Sequence, residues 1–502
     1  MKIEQIFYLF IWSASTLYAL FRFKNSCAHH FIISPTDFTK GWYILGYRIK
    51  DNSDIEWIIL TTTFKKFNLF LFFQVFSTNI LRIFFTRKRE IIPIFYTVFS
   101  VICLSLIIGY AAVAVFIFYP LLMYIFHKLW KKSLCYIVTA CALFLMHHSL
   151  FNFMQISLSM GHSESFLFDV GLAWLILKSL SFAVDRMNDV EKKLCRSSTF
   201  EDIFCLLAYS LYLPVVFTGP IISYENFYNQ IFKTAQPLPL KELVSRFLHL
   251  LRQILFYFLY EFFLHYIYSH AVQFYPDAVK NYDSFALCGL GYALPMMFFL
   301  KYYIIYGVSK CIAKLEDIEL PPPPKCISCI HLSSHFAKHF DRGLYLWILK
   351  YLYMPIINNK WTLLRKIQAL CICFSFVCIW HGMDTSIVIS TSLNCVLVAS
   401  EIAVQFFLTT KIGRLFEEIP HGPRTRISAA FATPHFLMMC ISCCFFLSNF
   451  DIGMLIIERV ILGGITPLLP LILIMYCGCH VSMKWKEHQQ NDKSVNMSNK
   501  SN

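Results

Sequence analysis

The sequence predicts an all-α protein that crosses a membrane about 10 to 12 times and includes some re-entrant segments. Hydrophobic residues make up 57% of the 502 positions, and charged residues make up 15%, against roughly 25% in soluble proteins. The mean hydropathy is +0.56. A chain this apolar lacks the polar surface that water requires, whereas lipid solvates an apolar surface. Helices are expected because a helix satisfies its own backbone hydrogen bonds inside lipid.

Apolar stretches that are long enough to span a bilayer recur along the chain. A helical span needs about 20 apolar residues. On that scale the candidates are 6–23, 67–86, 91–126, 133–154, 165–184, 203–222, 247–272, 284–307, 343–358, 366–382, 385–408, 427–448 and 454–478. The stretch 91–126 is long enough for two spans that separate near Gly109. The first stretch is expected to be a retained signal-anchor, since no clear small-residue cleavage site follows it.

The chain is expected to form one multi-span domain over 1–484, followed by a polar, disordered tail over 485–502. The polar connectors between spans are predicted at 24–58, 185–201, 223–246, 308–342 and 409–426. No internal repeat of fixed period is visible, so a transporter built from inverted repeats has no support in the sequence.

The formal net charge of +14 does not indicate nucleic-acid binding. Lys and Arg occur in short runs between apolar segments, such as 87–89, 131–132 and 192–193. Such runs are typical of cytosolic loops under the positive-inside rule. Most of the 19 Cys lie within apolar runs, where a thiol packs as a small hydrophobe. We therefore expect contact with membrane lipids, no nucleic-acid partner and no disulfide scaffold.

His381 is the first candidate for chemistry. The tripeptide Trp380-His381-Gly382 ends an apolar run that begins near Ile367 and precedes another that begins at Ile387. Ionisable groups in such positions are costly and therefore indicate function. A His there can act as a general base near neutral pH. The structural alternative is a core histidine that is hydrogen-bonded to a helix carbonyl.

Asp341 is the second candidate, because it immediately precedes the apolar stretch 343–358. The structural alternative is an N-cap, a position that Asp fills well at the start of a helix. The adjacent Arg342 is also placed to neutralise its charge. For Asp341 alone, the cap is the more probable interpretation.

Cys326 and Cys329, followed by His331, His335 and His339, resemble a zinc site only superficially. The three His share one helix face at four-residue spacing, but they follow the Cys pair too closely for the usual zinc modules. The alternatives are a polar face at the membrane surface and, for Cys326, a single thiolate ligand to haem iron.

Proline and glycine interrupt the chain at two places. The run 321–324 consists of four prolines and predicts a rigid polyproline segment. Leu213-Pro214 and Thr218-Gly219-Pro220 interrupt the apolar stretch 203–222. Such a break frees backbone groups, which must then line a cavity or pack against protein. We expect this break to border a substrate cavity.

Taken together, these motifs resemble the membrane-bound O-acyltransferase family, and most closely its branch that acylates secreted proteins of the hedgehog type. The matching stretches are 209–214, 217–220, 326–328, 340–345, 351–355 and 380–382. Their order and spacing match from about residue 165 to 405, which would form the catalytic core. The N-terminal third matches in hydropathy only, and the last hundred residues match loosely.

The resemblance implies both a fold and a reaction. It implies about ten spans plus re-entrant loops around a tunnel that crosses the endoplasmic reticulum membrane, with the Golgi as the alternative location. His381 and Asp341 would be catalytic, and Trp380 would bind substrate as a wall of the acyl tunnel. Palmitoyl-CoA would be the donor, and the N-terminal Cys amine of a secreted hedgehog-like or EGF-like protein would be the acceptor. Cys326 would hold a haem, whereas Cys329 lies outside the family pattern.

Two further functions remain open from the sequence. One is acyl transfer to a Ser hydroxyl or to a lipid. The other is a transporter or scaffold that has this fold but no catalytic activity. The retained His381 favours an enzyme over the scaffold.

Overall fold

In the computed structural model, residues 3–29, 36–85, 90–129, 131–148, 151, 155–156, 160–191, 198–233, 240–358 and 362–501 are described. The side chains of 28–29, 189–191, 240, 243, 329 and 490–501 are excepted. The described residues form a helical bundle with one short β-hairpin.

The helices fall into an N-terminal half and a C-terminal half. The first half contains α1 (Ile3–His29), α2 (Ile55–Phe84), α3 (Ile91–Ile108), α4 (Tyr110–Lys128), α5 (Lys132–Met146), α6 (His162–Glu191), α7 (Thr199–Ser210), α8 (Tyr224–Ile231) and α9 (Leu240–Phe263). The second half contains α10 (Pro276–Val279), α11 (Ser284–Leu315), α12 (Ser333–Phe340), α13 (Arg342–Ile348), α14 (Met354–Ile357), α15 (Leu363–Trp380), α16 (Thr385–Leu408), α17 (Lys411–Glu418), α18 (His421–Leu447), α19 (Phe450–Ile456) and α20 (Ile465–Ser501).

The predicted membrane architecture is confirmed. Within the described ranges, ten helices are long and apolar enough to cross a membrane. The predicted break near Gly109 separates α3 from α4, and Gly109 itself adopts a φ of 85°. Many large apolar side chains are exposed, including Phe72 at 71% and Phe118 at 65%. Such exposure suits a surface that faces lipid rather than water.

Helix α6 lies at the centre of the bundle. In its most apolar window, 83% of the residues are buried, whereas no other candidate span exceeds 50%. Its side chains pack in the main core with residues of α2, α4 and α11, among them Phe116, Phe168 and Met297. Helix α6 is therefore shielded from lipid more completely than the other candidate spans.

Several candidate spans are not continuous helices. In 247–272, α9 ends at Phe263, and in 454–478, α20 begins only at Ile465. The stretches 203–222 and 343–358 are also broken. In the stretch 203–222, α7 ends at Ser210, and a single 3₁₀ turn follows at Leu213–Val215. Pro214 and Gly219 explain the break, because proline removes a backbone donor and Gly219 adopts a φ of 69°. The stretch 343–358 consists of α13, a π-helical turn at Leu349–Tyr353 and α14. Both stretches are thus too short or irregular to span as one helix.

The hairpin lies over the end of α9. Strands β1 (Phe38–Lys40) and β2 (Ile49–Asp51) pair antiparallel, with Thr39 opposite Lys50. The Lys50 ammonium lies 2.7 Å from Glu261 Oε2 on α9, and the Trp57 indole donates to Glu261 Oε1 at 2.8 Å. This buried carboxylate therefore joins the hairpin, α2 and α9.

Two connecting segments bear on the sequence predictions. The chain is neither helix nor strand over 318–326, as the proline run predicts. The structure describes α20 as far as Ser501, and the disordered tail over 485–502 stays a prediction. No proline or glycine interrupts 485–501, and Lys484 pairs with Glu487 one turn later at 2.7 Å.

Candidate active site

A cavity of about 440 Å³ lies between α11, the α12–α13 segment, α15, α16 and α18. Its walls are mostly apolar and aromatic. They include Phe298, Phe336, Phe340, Leu344, Ile348, Leu370, Phe374, Val377, Val398, Ile402 and Phe446. Its polar wall residues include Tyr302, Tyr306, Ser333, Asp341, His381, Ser390, Thr391 and Asn394. An apolar cavity with a few convergent polar groups is the usual form of a small-molecule site.

Asp341 lies at the corner between α12 and α13. Its Oδ1 accepts the N–H of Leu344 at 2.8 Å, so the predicted N-cap is present. Its Oδ2 accepts a hydrogen bond from the Tyr306 hydroxyl at 2.7 Å. Burial raises the pKa of this carboxyl, and its two hydrogen bonds act in the opposite direction. Asp341 therefore caps α13 and also presents a buried carboxyl at the cavity wall.

Arg342 does not pair with Asp341 in the described part of the chain. Its guanidinium lies 5.4 Å from the centre of the Tyr345 ring, and its Nη1 is buried without a hydrogen-bond partner. The carboxyl of Asp341 is therefore held by hydrogen bonds from Tyr306 and Leu344 rather than paired with the adjacent cation.

Gly343 allows the Asp341 corner to pack against the broken segment. A Cβ on Gly343 would meet the carbonyl oxygen of Ile221 at 2.6 Å. A Cβ on Gly219 would meet the Trp174 ring at 3.0 Å, and Trp174 lines the cavity. The break was expected to border the cavity, but its residues are not among the cavity walls. The broken segment instead packs against α13 and Trp174 on the side away from the cavity.

His381 lies in the turn between α15 and α16. Its backbone N–H bonds to the carbonyl of Val377 at 3.1 Å, and its ring packs edge-on against Phe446 with 4.7 Å between ring centroids. Among the described residues, neither ring nitrogen has a hydrogen-bond partner, so the ring is open to the cavity. The side chain of His381 is exposed to the cavity, while desolvation by the surrounding protein lowers the pKa of His381 to about 4. The ring is therefore a neutral base at physiological pH.

The turn geometry explains the glycine that follows His381. Gly382 has a φ of 105°, and Met383 has a φ of 59°. Backbone with positive φ strongly favours glycine. The carbonyl of Ile379, just before the turn, lies 2.7 Å from His147 Nε2. These features hold the end of α15 in place, so His381 reaches the cavity from a fixed turn.

Asp341 and His381 are 40 positions apart in the sequence but line the same cavity. No hydrogen bond joins them in the described structure, since the carboxylate contacts Tyr306 and Leu344 while the imidazole packs on Phe446. The two residues therefore lie at separate places on the cavity wall. Asp341 is not placed to orient His381 directly.

Trp380 lines the cavity next to His381. Its ring lies 5.1 Å from the ring of Trp174 and 6.3 Å from that of Phe376. Both contacts are also those of a packing residue. Trp380 can therefore both line an acyl tunnel and pack against its neighbours.

The Cys–His motif does not form a metal cluster. Among the described residues, no group of three or more His, Cys, Asp or Glu could hold a metal ion. His331 Nδ1 lies 2.7 Å from the Ser482 hydroxyl, and burial lowers the pKa of both His331 and His339 to about 4. Cys329 falls outside the described side chains. The zinc alternative therefore has no support in this part of the chain.

Cys326 has an exposed thiol, and its Sγ lies 3.5 Å from the Ser328 hydroxyl. An exposed thiol at the end of a proline run fits a single axial ligand to haem iron. Cys326 lines neither the 440 Å³ cavity nor the second cavity described below. A haem at this position would thus be separate from the Asp341 and His381 walls.

A second, more polar cavity of about 320 Å³ lies beneath the hairpin and includes Lys50, Asp51, Asp54 and Glu261 in its walls. Asp54 also binds the ammonium of Lys301 on α11 at 2.8 Å.

Lys301 connects this region to the first cavity. Its ammonium also lies 2.7 Å from Glu56, and Glu56 accepts a hydrogen bond from Tyr302 at 2.8 Å. Tyr302 lines the first cavity. Sequence reasoning missed this network and Tyr306, although a lysine inside a span is itself a signal of function.

A model of the membrane-bound O-acyltransferase family matches residues 113–449. The chain belongs to the membrane-bound O-acyltransferase family. The matched range contains both Asp341 and His381. The chain is therefore a multi-pass membrane protein of an acyltransferase family, as the motifs predict.

Three curated relatives are similar to this chain. The Drosophila melanogaster protein-cysteine N-palmitoyltransferase Rasp is 27% identical over 329 residues, which cover 63% of this chain and 62% of the relative. The Mus musculus protein-cysteine N-palmitoyltransferase HHAT is 27% identical over 286 residues, covering 56% and 57%. The Mus musculus HHAT-like protein is 23% identical over 465 residues and covers 90% of each. The chain thus spans about three fifths of the length of the first two relatives.

Proposed function

We propose that this protein transfers a palmitoyl group from palmitoyl-CoA to the N-terminal Cys amine of a secreted protein. The observation that carries the proposal is that Asp341 and His381 share one largely apolar cavity. The apolar walls suit a long acyl chain, and the neutral imidazole suits removal of a proton from an amine. The name protein-cysteine N-palmitoyltransferase of two relatives supports the donor and the acceptor.

The proposed reaction needs one base. The neutral α-amine attacks the thioester carbonyl, the C–N bond forms and the C–S bond breaks. His381 accepts the proton from the amine nitrogen and returns it to the sulfur of the departing CoA. Asp341, held by Tyr306, acts from a separate place on the cavity wall by binding the acceptor amine and keeping it near the carbonyl.

The charge distribution supports entry of the two substrates from opposite sides. Consecutive spans alternate in direction, so Lys131 and Lys132, after α4, lie on the same side as the start of α1. Arg426, near the start of α18, pairs with Glu4 of α1 at 2.8 Å and belongs to that side. The His381 turn lies at the opposite end of α16. The positive-inside rule assigns the basic side to the cytosol, where anionic CoA is supplied.

The acceptor would therefore approach the His381 end from the lumen. We propose the endoplasmic reticulum membrane as the location, because secreted proteins present their N-termini in its lumen. Hedgehog-like and EGF-like proteins that begin with Cys are the proposed acceptors. Fluorescence microscopy of the tagged protein with an endoplasmic reticulum marker tests the location.

The proposed activity is tested with protein purified in detergent. Labelled palmitoyl-CoA is offered with a peptide that begins with Cys and, in parallel, with the same peptide acetylated at its α-amine. We expect a stable amide on the free peptide only, and loss of that product in His381→Ala. His421→Ala is the matched control, because the side chain of His421 is 66% exposed. Equal labelling of both peptides, or full activity of His381→Ala, would contradict the proposal.

A second candidate function is acyl transfer to a Ser hydroxyl or a lipid hydroxyl. The observation that favours it is that the ring of His381, which has no hydrogen-bond partner among the described residues, could also accept a proton from an attacking hydroxyl. Mild alkaline treatment separates the two products, since an ester is cleaved and an amide is retained. A non-enzymatic scaffold would consume no acyl-CoA with any of these acceptors.

Haem binding at Cys326 is a separate proposal that rests on the exposed thiol. Cys326 would hold the iron as a thiolate, and the bound group would add a metal centre to this loop. The absorption spectrum of the purified protein should show a Soret band that is lost in Cys326→Ala. An unchanged band in that variant would assign the iron to another ligand.

A further inference from the structure

Glu401 and His435 are in close polar contact between two membrane-spanning helices. Glu401 lies on α16 and His435 on α18, with 3.0 Å between Oε1 and Nε2. Their side chains are 9% and 12% exposed. A carboxylate within a span is costly, and such a residue is a functional hypothesis by default. Neither residue lines the 440 Å³ cavity, so the pair acts through its neighbours.

The neighbour of Glu401 is the start of α12. Glu401 Oε1 accepts the backbone N–H of Ser334 at 3.1 Å, and its Oε2 accepts a hydrogen bond from the Ser334 hydroxyl. The first N–H groups of a helix have no partner within the helix. The N-cap residue of α12, Leu332, provides no side-chain acceptor. The N–H of Ser333 bonds to His435 Nε2 at 3.4 Å. Glu401 and His435 thus supply from other helices the cap that the local sequence lacks, and Glu401 holds Ser334 by two of its contacts.

Helix α12 connects this cap to Asp341. It has eight residues, and Asp341 follows directly after its last residue, Phe340. The ring of Phe340 stacks on Phe298 of α11, with 5.1 Å between centroids and 3° between planes. A helix of this length extends over about 12 Å. Glu401 therefore holds the start of α12, and Asp341 follows the end of the same short helix.

The wall beside the cap is also polar and fully paired. The Ser333 hydroxyl donates to Asn394 at 3.1 Å, and Asn394 donates to the Ser442 hydroxyl at 2.6 Å. These contacts join α12, α16 and α18 at one level of the cavity. The start of α12 is thus set by polar contacts, which are directional, rather than by apolar packing alone.

We propose that Glu401 is a positioning residue that places Asp341 in the cavity by capping α12. The proposal rests on the proposed function only for its effect on catalysis. The capping itself is a structural property that is measured independently of activity.

The first arm of the test is hydrogen–deuterium exchange of the full chain in detergent micelles. Glu401→Ala should speed the exchange of amides in 333–340 about tenfold. Glu401→Gln keeps an acceptor for the Ser334 N–H and should stay close to wild type. Glu458→Ala changes an exposed Glu on another helix and should leave these amides unchanged. Unchanged exchange of 333–340 in Glu401→Ala would overturn the cap, whether or not the protein is active.

The second arm is the kinetics of acyl transfer. Glu401→Ala should lower kcat about tenfold while KM for the donor changes less than about twofold, and Glu401→Gln should restore kcat. If Glu401→Ala speeds exchange but leaves kcat unchanged, Glu401 caps α12 without positioning Asp341. That result would overturn the positioning role. Equal losses in the Ala and Gln variants would assign the effect to the charge instead. If the wild-type protein transfers no acyl group, the proposed function is contradicted. The capping of α12 by Glu401 is still tested, because hydrogen–deuterium exchange does not depend on activity.

Discussion

The Tyr306 hydroxyl donates a 2.7 Å hydrogen bond to Asp341 Oδ2 across the wall of the 440 Å³ cavity. Tyr306 is on α11 and Asp341 is 35 positions later, at the corner before α13. This bond orients the carboxyl, whose other oxygen caps α13. The same carboxyl group therefore serves both the local backbone and the cavity.

Removal of the Tyr306 hydroxyl should slow acyl transfer without unfolding the protein. Tyr306→Phe leaves a buried carboxylate oxygen with one donor fewer, which costs about 1–3 kcal/mol. We expect a fall in kcat of about tenfold in the peptide assay. Tyr303→Phe is the matched control, because Tyr303 lies on the same helix and its ring packs on Phe256 and Phe299. Equal effects of the two substitutions would argue against the role of Tyr306.

The two roles of Asp341 can be separated by substitution. Asp341→Asn keeps an oxygen that caps α13, and Asn caps helices as well as Asp. We expect it to retain the wild-type melting temperature but to lose most activity. Asp341→Ala should lose the activity and also about 1 kcal/mol of stability. Full activity of Asp341→Asn would show that Asp341 caps α13 but has no role in catalysis.

The pH dependence of the reaction should reflect the acceptor rather than His381. Desolvation lowers the pKa of His381 to about 4, so the imidazole stays neutral as pH falls until about that value. An α-amine has a pKa near 8. Below that pH, kcat/KM should fall about tenfold per pH unit because the free amine becomes scarce. The profile should shift with an acceptor amine of lower pKa, and an acid limb fixed near pH 6.5 for both acceptors would contradict this expectation.

Gly343 should tolerate no side chain. A Cβ there would meet the Ile221 carbonyl oxygen at 2.6 Å, so Gly343→Ala should displace α13 and destabilise the protein by about 1–3 kcal/mol. Transfer activity should fall with it, since Asp341 moves. Gly422→Ala is the control, because nothing lies within 4 Å of its added Cβ. Similar melting temperatures for the two variants would contradict the close packing of α13 on the break.

Loss of the Lys301 charge should destabilise the bundle strongly. Lys301→Met leaves the carboxylates of Asp54 and Glu56 buried without their cation, which costs about 3–5 kcal/mol. The melting temperature in detergent measures this loss. Lys280→Met breaks an exposed pair with Asp277 and should change stability little. Comparable losses in both variants would show that the Lys301 network is solvated.

The sequence predicts the spans well because hydropathy is a local property. Each residue contributes its own transfer free energy, and the sum over about 20 neighbours decides whether a segment enters lipid. The separation of α3 from α4 at Gly109 and the break at Pro214 follow from backbone rules that also act locally. Hydropathy alone cannot separate a span from a re-entrant segment, so 203–222 and 343–358 were resolved only by the structure.

The candidate site was predictable in its residue types but not in its arrangement. The motifs around Asp341 and His381 identify two unusual polar residues, yet they give neither the cavity that both line nor the separate partners, Tyr306 and Phe446. Those contacts join residues far apart in the chain, and they depend on how whole helices pack. The capping of α12 by Glu401 has the same origin. Tertiary structure decided these relationships because directional hydrogen bonds form only after the helices are in place.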